Sequence, residues 1–120
     1  MTTLVVDAAN VVGSRPDGWW KDRAGAARRL HEQLLVADLP YDDVVLVLEG
    51  QAKGGVRAGR DGHVRTVHAT GSGDETIVEQ ARSAAASGRT VVVTADRMLQ
   101  ARVGGVGAQA LSPSWLLAQL

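Results

Sequence analysis

Three short runs of β-branched and leucine residues constrain the fold of this chain more than any other feature of its sequence. They cover residues 3–7, 44–48 and 90–94, and each is apolar at nearly every position rather than at every second one. Strands with both faces buried have such continuous apolar sequences, and they occur in parallel sheets that helices cover on both sides. The three runs therefore predict inner strands of an α/β domain.

Two further strands and a set of helices complete this prediction. Residues 64–68 alternate apolar and polar positions, as an exposed edge strand does, and residues 108–111 form a weaker fifth strand. Helical signals fill the gaps between strands at residues 22–37, 72–87 and 97–103, and again from residue 112. Alternating strands and helices predict a doubly wound α/β architecture, and 120 residues is the length of a single domain.

Composition excludes several classes of site. The chain has no cysteine, so it can hold no disulfide, thiolate zinc site or cysteine nucleophile. Thirteen basic residues balance thirteen acidic ones, so no overall positive field indicates a nucleic-acid partner. No apolar run approaches the roughly 20 residues of a membrane span, and the first residues lack a basic signal-peptide region. We therefore expect a cytoplasmic protein with no membrane partner.

Carboxylates follow three of the predicted strands. Asp7 ends the first, Glu49 follows the second, and Asp96 lies two residues after Thr94. Open parallel sheets bind ligands beyond these carboxyl ends. One such Asp is typical of a turn or a helix N-cap. Three of them on strands about 4.8 Å apart would repel one another, which requires raised pKa values or a bound cation.

A fourth acid, Asp74, is predicted to face the same site. Its helical phase lies about 20° from the centre of the apolar stripe of the 72–87 helix. Glu75 points away from that stripe and fits a capping box with Ser72, while Glu79 is expected at the surface. Four oxygen donors without a thiolate favour a hard cation, Mg²⁺ or Mn²⁺.

Basic side chains near these acids are candidates for phosphate binding. Residues 50–62 include five glycines and are predicted to form a mobile loop, from which Lys53, Arg57 and Arg60 could contact an RNA backbone. A solvated loop without a ligand fits this segment equally well. Arg23 lies near the apolar stripe in the first turn of its helix, from which it could reach a phosphate or pair with one of the acids.

Aromatic and histidine residues add weaker signals. Trp19 and Trp20 follow the first strand, where one could stack on a base and at least one is expected to pack over the sheet. His31 falls away from the apolar stripe of its helix, so we predict it at the surface.

Four motifs together resemble a known family. Residues 4–13, LVVDAANVVG, resemble the V-D-x-x-N-V-x-G opening of the NYN and YacP-like branch of the PIN-domain nucleases. Residues 22–26, DRAGA, are similar to the D-x-x-G-A start of that branch's first helix. Residues 73–75 resemble its acidic helix opening, and residues 94–97 its T/S-x-D signature. The order and spacing of the motifs agree along almost the whole chain.

This resemblance implies one PIN-like domain over residues 1–120, with a Rossmann-like three-layer fold and strand order 3-2-1-4-5. It also implies hydrolysis of RNA phosphodiester bonds to 5′-phosphate products at a Mg²⁺ or Mn²⁺ site held by Asp7, Asp74 and Asp96. Asn10 would orient a ligand or the substrate phosphate, and Thr94 would support the site by hydrogen bonding. Glu49 stands where YacP-like chains tend to have Asp.

The residues and the resemblance together predict a site in three parts. The predicted catalytic residues are Asp7, Asn10, Asp74 and Asp96. The predicted metal ligands are Asp7, Asp74, Asp96 and Glu49. The predicted substrate-binding residues are Arg23, Lys53, Arg57, Arg60, Thr94 and Arg97.

Two other functions compete with a metal-dependent endoribonuclease. An inactive PIN-like module could bind RNA or a protein, although such a module has no reason to retain a set of repelling acids. A small-molecule phosphohydrolase is the third possibility, but Ala9 replaces the second Asp of the D-x-D motif of haloacid-dehalogenase-like phosphatases. The predicted partner is RNA, and a toxin would also have an antitoxin partner. The sequence does not predict the oligomeric state.

Overall fold

A computed structural model describes all residues, Met1–Leu120. The strands are β1 Thr3–Asp7, β2 Asp43–Leu48, β3 Gly59–Asp61, β4 Val64–His68, β5 Thr90–Val93 and β6 Gln109–Leu111. The helices are α1 Ala8–Gly13, α2 Arg23–Val36, α3 Gly73–Ala85, α4 Arg97–Gly105 and α5 Pro113–Leu117, with 3₁₀ turns at Trp19–Lys21 and Gly50–Gly55. No helix combines the length and the hydropathy that a membrane span needs.

The six strands form one sheet in the order β3-β4-β2-β1-β5-β6. All neighbouring pairs are parallel except β3 and β4, which are antiparallel. The predicted α/β class is confirmed, and the five predicted strands have the predicted relative order. The observed order differs from the prediction by the additional strand β3.

Side chains of the inner strands alternate between two cores. Leu4 and Val6 of β1 pack in one core with α1, α2 and α5. Val5 packs in the other core with α3 and α4. The same alternation holds in β2 and β5. Because each face of the sheet is covered, every position of β1 and β5 is buried, as is every position of β2 after Asp43, which explains their continuous apolar sequences.

The prediction of a mobile loop over residues 50–62 is wrong. Its first half is the 3₁₀ turn Gly50–Gly55, which packs on the start of α2. A Cβ atom on Gly55 would collide with the backbone oxygen of Ala24, so this close approach requires glycine. The second half contains β3, which pairs with β4. The strand β4 therefore lies inside the sheet and not at its edge.

The additional strand also explains why the predicted surface position of His31 is wrong. His31 is 8% exposed, and its Nε2 lies 3.3 Å from Oδ2 of Asp61 in β3. The strand covers this flank of α2, which the five-strand prediction left open to solvent.

Short side-chain caps fix the starts of the helices that follow β1. Asp22 caps α2, with its Oδ1 accepting a hydrogen bond of 2.8 Å from the backbone N–H of Gly25. A Cβ atom on Gly25 would collide with that carboxylate, which accounts for the D-x-x-G motif. Asp7 caps α1 in the same way, and this short helix was absent from the sequence prediction.

Candidate active site

The alternation of side chains along β-strands brings three of the predicted site residues to one face of the sheet. Val5, Val47 and Val92 all pack against α3 and α4. Asp7, Glu49 and Thr94 each lie two residues further along their chain segment, so they emerge on the same face where the strands end. Helices α3 and α4 begin at this edge, which brings their first turns to the same place.

Asp7 is the most buried acid of this group, at 4% exposed. Its Oδ2 accepts hydrogen bonds from Thr94 Oγ1 at 2.9 Å and from Asn10 Nδ2 at 3.0 Å. Its Oδ1 accepts a bond of 3.4 Å from the backbone N–H of Asn10. Burial raises the pKa of Asp7 and outweighs these hydrogen bonds, which lower it, while the charge of Asp74 raises it further.

Asn10 and Thr94 connect the end of β1 to the segment after β5. Asn10 Oδ1 accepts a bond of 3.1 Å from the backbone N–H of Ala95, and Thr94 Oγ1 accepts one of 3.2 Å from that of Asp96. Both side chains therefore hold the Asp7 carboxylate and the loop that carries Asp96 in a fixed relation. The predicted contacts of Asn10 and Thr94 with substrate stay predictions.

Asp74 interacts electrostatically with each of the other three predicted acids. It is half-buried in the first turn of α3, on the side that its helical phase predicts. Desolvation raises the pKa of Asp74, and the negative charges of Asp96, Glu49 and Glu75 raise it further. Arg102 on α4 lowers this pKa, and its contribution is smaller than those of Asp96 and Glu49.

Glu49 joins the end of β2 to the start of α3. Its Oε2 accepts a hydrogen bond of 3.0 Å from the backbone N–H of Gly73. The predicted capping box is wrong, because the Ser72 side chain makes no capping bond. Its supposed partner, Glu75, instead accepts a bond of 2.8 Å from Arg102 Nη2. Glu49, at the end of β2, thus satisfies a backbone N–H at the start of α3. The local sequence predicts that the Ser72–Glu75 pair has this role.

Asp96 caps α4 and follows β5, which lies on the other side of β1 from β2 and Glu49. Its Oδ1 accepts a hydrogen bond of 3.1 Å from the backbone N–H of Leu99. Sequence reasoning missed two polar residues of α4 that act here. Gln100 Nε2 donates a bond of 2.8 Å to the Thr94 carbonyl oxygen, and Arg102 supplies a positive charge to Asp74. Only the packing of α3 against α4 brings Arg102 there, so no local motif could have found it.

The side-chain positions do not form a complete set of metal ligands. No group of three or more His, Asp and Glu side chains lies close enough together to hold a metal ion. The acids interact electrostatically around Asp74, and their oxygens are of the type that Mg²⁺ and Mn²⁺ prefer. The four predicted metal ligands therefore stay a prediction.

The predicted substrate-binding cations fall into two groups. Arg23, Arg57 and Arg97 are exposed and take part in no ion pair. Lys53 Nζ donates a hydrogen bond of 3.0 Å to the carbonyl oxygen of Ala69, beyond the end of β4. Arg60 pairs at 3.0 Å with Asp43, the first residue of β2.

Arg60 is the predicted cation that the fold keeps away from the acids. Asp43 and Glu49 are six residues apart along β2, which is about 20 Å of extended strand. Arg60 therefore lies at the amino end of the sheet, while the acids lie at the carboxyl end. Lys53 holds the backbone after β4, at the carboxyl end of the sheet, and Arg57 follows Val56, whose carbonyl oxygen lies 2.7 Å from Nε2 of His68 at the end of β4.

Comparisons with solved structures identify the architecture. No protein-family model and no curated protein matches the chain. Among solved structures, Rae1 (YacP) from Bacillus subtilis matches with a TM-score of 0.72 and 22% identity, over 98% of this chain and 72% of that one. This is the fold of Rae1. A single-residue mutant of Rae1 matches with a TM-score of 0.64 and 20% identity, over 98% of this chain and 74% of that one.

The solved structures that share this fold and the sequence motifs both point to YacP-like proteins. The motifs of residues 4–13, 22–26, 73–75 and 94–97 resemble the YacP-like branch, and the solved structures with the same fold bear that name. At this level of identity the likeness extends to the fold alone.

Proposed function

We propose that this chain is a Mg²⁺- or Mn²⁺-dependent endoribonuclease. The observation that carries the proposal is the convergence of four carboxylates at one edge of the sheet, where the charges of Asp96 and Glu49 raise the pKa of Asp74 and the charge of Asp74 raises that of Asp7. Mutual repulsion among carboxylates costs stability, so a set drawn from four separate segments indicates a role in function. The Rae1-like fold and the YacP-like motifs support this role.

The donor set fits a divalent cation as a partial ligand shell. Mg²⁺ commonly keeps several water ligands and uses only one or two protein carboxylates together with substrate phosphates. Asp7, Asp74 and Asp96, with Glu49 beside them, would supply such carboxylates. When bound, the ion would lower the pKa of a water molecule and offset negative charge on the phosphodiester.

The chain's own groups would position the reactants. Thr94 and Asn10 hold Oδ2 of Asp7 in place, and burial keeps that carboxylate away from bulk water. The exposed guanidinium groups of Arg57 and Arg97 would contact phosphates of the RNA on either side.

Cleavage of a labelled single-stranded RNA tests this proposal. We expect Mn²⁺ or Mg²⁺ to support cleavage to 5′-phosphate products and EDTA to abolish it. Asp7→Asn, Asp74→Asn and Asp96→Asn should each lower the rate by about 100-fold or more. Glu79→Gln is the matched control, because Glu79 is an exposed acid on the same helix as Asp74. Equal cleavage by all variants would indicate a contaminating nuclease and contradict the proposal.

An RNA-binding module without activity is the second candidate. The absence of a preformed group of three metal ligands favours it. Such a module would retain labelled RNA in a mobility-shift assay with EDTA present and would release no fragments with Mn²⁺. Release of phosphate from free nucleotides, with intact RNA, would instead support a small-molecule phosphohydrolase. An antitoxin partner stays a prediction.

A further inference from the structure

A cleft of about 540 Å³ opens beside the acids. It lies between α1, the start of α2 and the segments 49–52 and 71–72. Glu49 belongs both to this cleft and to the acid group, and Ala8 in its floor directly follows Asp7. The volume falls within the roughly 300–1,000 Å³ of small-molecule binding sites.

The floor of the cleft is apolar and one of its walls is aromatic. Small side chains leave the space open, namely those of Ala8, Ala9, Val12, Ala27 and Ala52. Trp19 forms the wall, and the guanidinium carbon of Arg23 lies 4.9 Å from the centre of its ring. Arg23 has no carboxylate partner, and the side chain of Ser72 at the rim makes no capping bond with the helix that it precedes.

These features match a ligand that has a flat ring with polar edges and a negatively charged group next to the ring. An aromatic wall and a guanidinium plane both stack on nucleobases, and Arg23 can also neutralise a phosphate. We propose that the cleft binds an unpaired base of RNA next to the phosphate that the acids address. The position of that base relative to the cut rests on the proposed function, whereas base binding itself does not.

This assignment specifies the substrate as single-stranded. A base inside a duplex is stacked on both faces and cannot enter a concave cleft without leaving the helix. Unpaired RNA presents its bases at no such cost. The order of preference among bases follows from stacking area, so purines should bind more tightly than pyrimidines.

The neighbouring Trp20 provides a matched control. It is 56% exposed and does not line the cleft. Its ring contacts that of Trp19 edge to face, with centres 5.9 Å apart. Trp20→Leu removes an adjacent tryptophan without changing the cleft lining, whereas Trp19→Leu removes the aromatic wall and Ala9→Leu places a larger side chain at an exposed position of the lining.

Binding is measured without metal, by following the three tryptophan indole N–H signals in ¹⁵N-labelled protein. Adenosine 5′-monophosphate should shift the Trp19 signal in a saturable way and leave that of Trp115, on α5, in place. Ribose 5-phosphate, which lacks a base, should not reproduce this shift. Trp20→Leu should retain nucleotide binding, and Ala9→Leu should lose it while its Tm and circular dichroism show a folded protein. No saturable shift of Trp19, or equal binding by Ala9→Leu, would overturn the proposal.

Cleavage kinetics supply the second measurement. Trp19→Leu and Arg23→Gln should raise KM for single-stranded RNA by about tenfold at nearly constant kcat, because uniform binding is lost. Arg28→Gln, an exposed neighbour on α2 outside the cleft, should leave both constants unchanged. Nucleotide binding without cleavage would contradict the proposed nuclease and support the base site. Cleavage with unchanged KM in both cleft variants would contradict the base site and support the nuclease.

Discussion

Two buried threonines differ in what their hydroxyl groups contribute. Thr94 is fully buried, and its hydroxyl donates to Asp7 and accepts from the backbone of Asp96. Thr66 in β4 is 2% exposed, and its hydroxyl has no hydrogen-bond partner. A buried hydroxyl stabilises the fold when its hydrogen bonds are made and costs free energy when they are not. The same substitution should therefore have opposite effects at the two sites.

We predict that Thr94→Val lowers the free energy of unfolding by about 1–3 kcal/mol, because it removes a hydrogen bond to the buried Asp7 Oδ2 and the bond that the Asp96 N–H donates to the Thr94 hydroxyl. Thr66→Val should be neutral or should raise it by up to about 1 kcal/mol. Urea denaturation of the metal-free protein measures both values. Equal losses at the two positions would show that the network around Asp7 does not stabilise the fold.

Asp74 should make the stability of the metal-free protein depend on pH. Its folded-state pKa is raised above the ordinary value of 3.8, so its neutral form is favoured in the folded protein. Its contribution to stability is therefore fully present below pH 3.8 and is lost as the pH rises through the raised value. Asp74→Asn removes this loss.

We expect Asp74→Asn and wild type to have similar Tm values at the acidic limit, with the variant more stable towards neutral pH. Asp74 is partly solvated, so after screening the gain is a few tenths of a kcal/mol, or about 1–3 °C in Tm. Thermal unfolding in EDTA over a pH series measures it. Glu79→Gln on the solvent side of α3 should not reproduce this trend, and a constant or reversed difference for Asp74→Asn would contradict it.

At the scale of elements, the segment before β3 depends on close backbone packing. Gly55 touches the first turn of α2 where a Cβ atom would collide with the Ala24 carbonyl, whereas a Cβ atom on Gly54 would make only an ordinary contact at 3.9 Å. We predict that Gly55→Ala lowers the free energy of unfolding by about 1–3 kcal/mol, and that Gly54→Ala changes it little. Equal Tm values for the two variants would show that the 3₁₀ turn moves off α2 freely.

The strand that sequence reasoning missed, β3, lacks an apolar pattern of its own. The residues of β3, Gly-Arg-Asp, are all exposed, so neither period nor propensity marks them as a strand. The burial of His31 depends on β3 and was missed with it. The capping of α3 was also misjudged, because Glu49 reaches it from 24 residues away and replaces the local Ser72–Glu75 pair. These contacts join residues that are distant in the chain. A prediction from local sequence pairs each group with a neighbour in the sequence instead.

At the scale of the whole molecule, the sheet brings the acids together. Continuous apolar runs predicted covered parallel strands, and the carboxyl ends of such strands meet at one edge. The helical phase of Asp74 alone assigns the start of α3 to that edge. The precise ligand geometry could not be predicted, because hydrogen bonds from Asn10, Thr94 and the backbone of Gly73 fix how each carboxylate points.

Direct measurement of Mn²⁺ binding to the metal-free protein, by calorimetry or electron paramagnetic resonance, tests the central claim most directly. The account predicts saturable binding that weakens by about tenfold or more in Asp7→Asn, Asp74→Asn and Asp96→Asn, with Glu79→Gln binding as wild type does. Absence of saturable binding, or equal affinity in all four variants, would contradict the claim that these acids form one divalent-cation site.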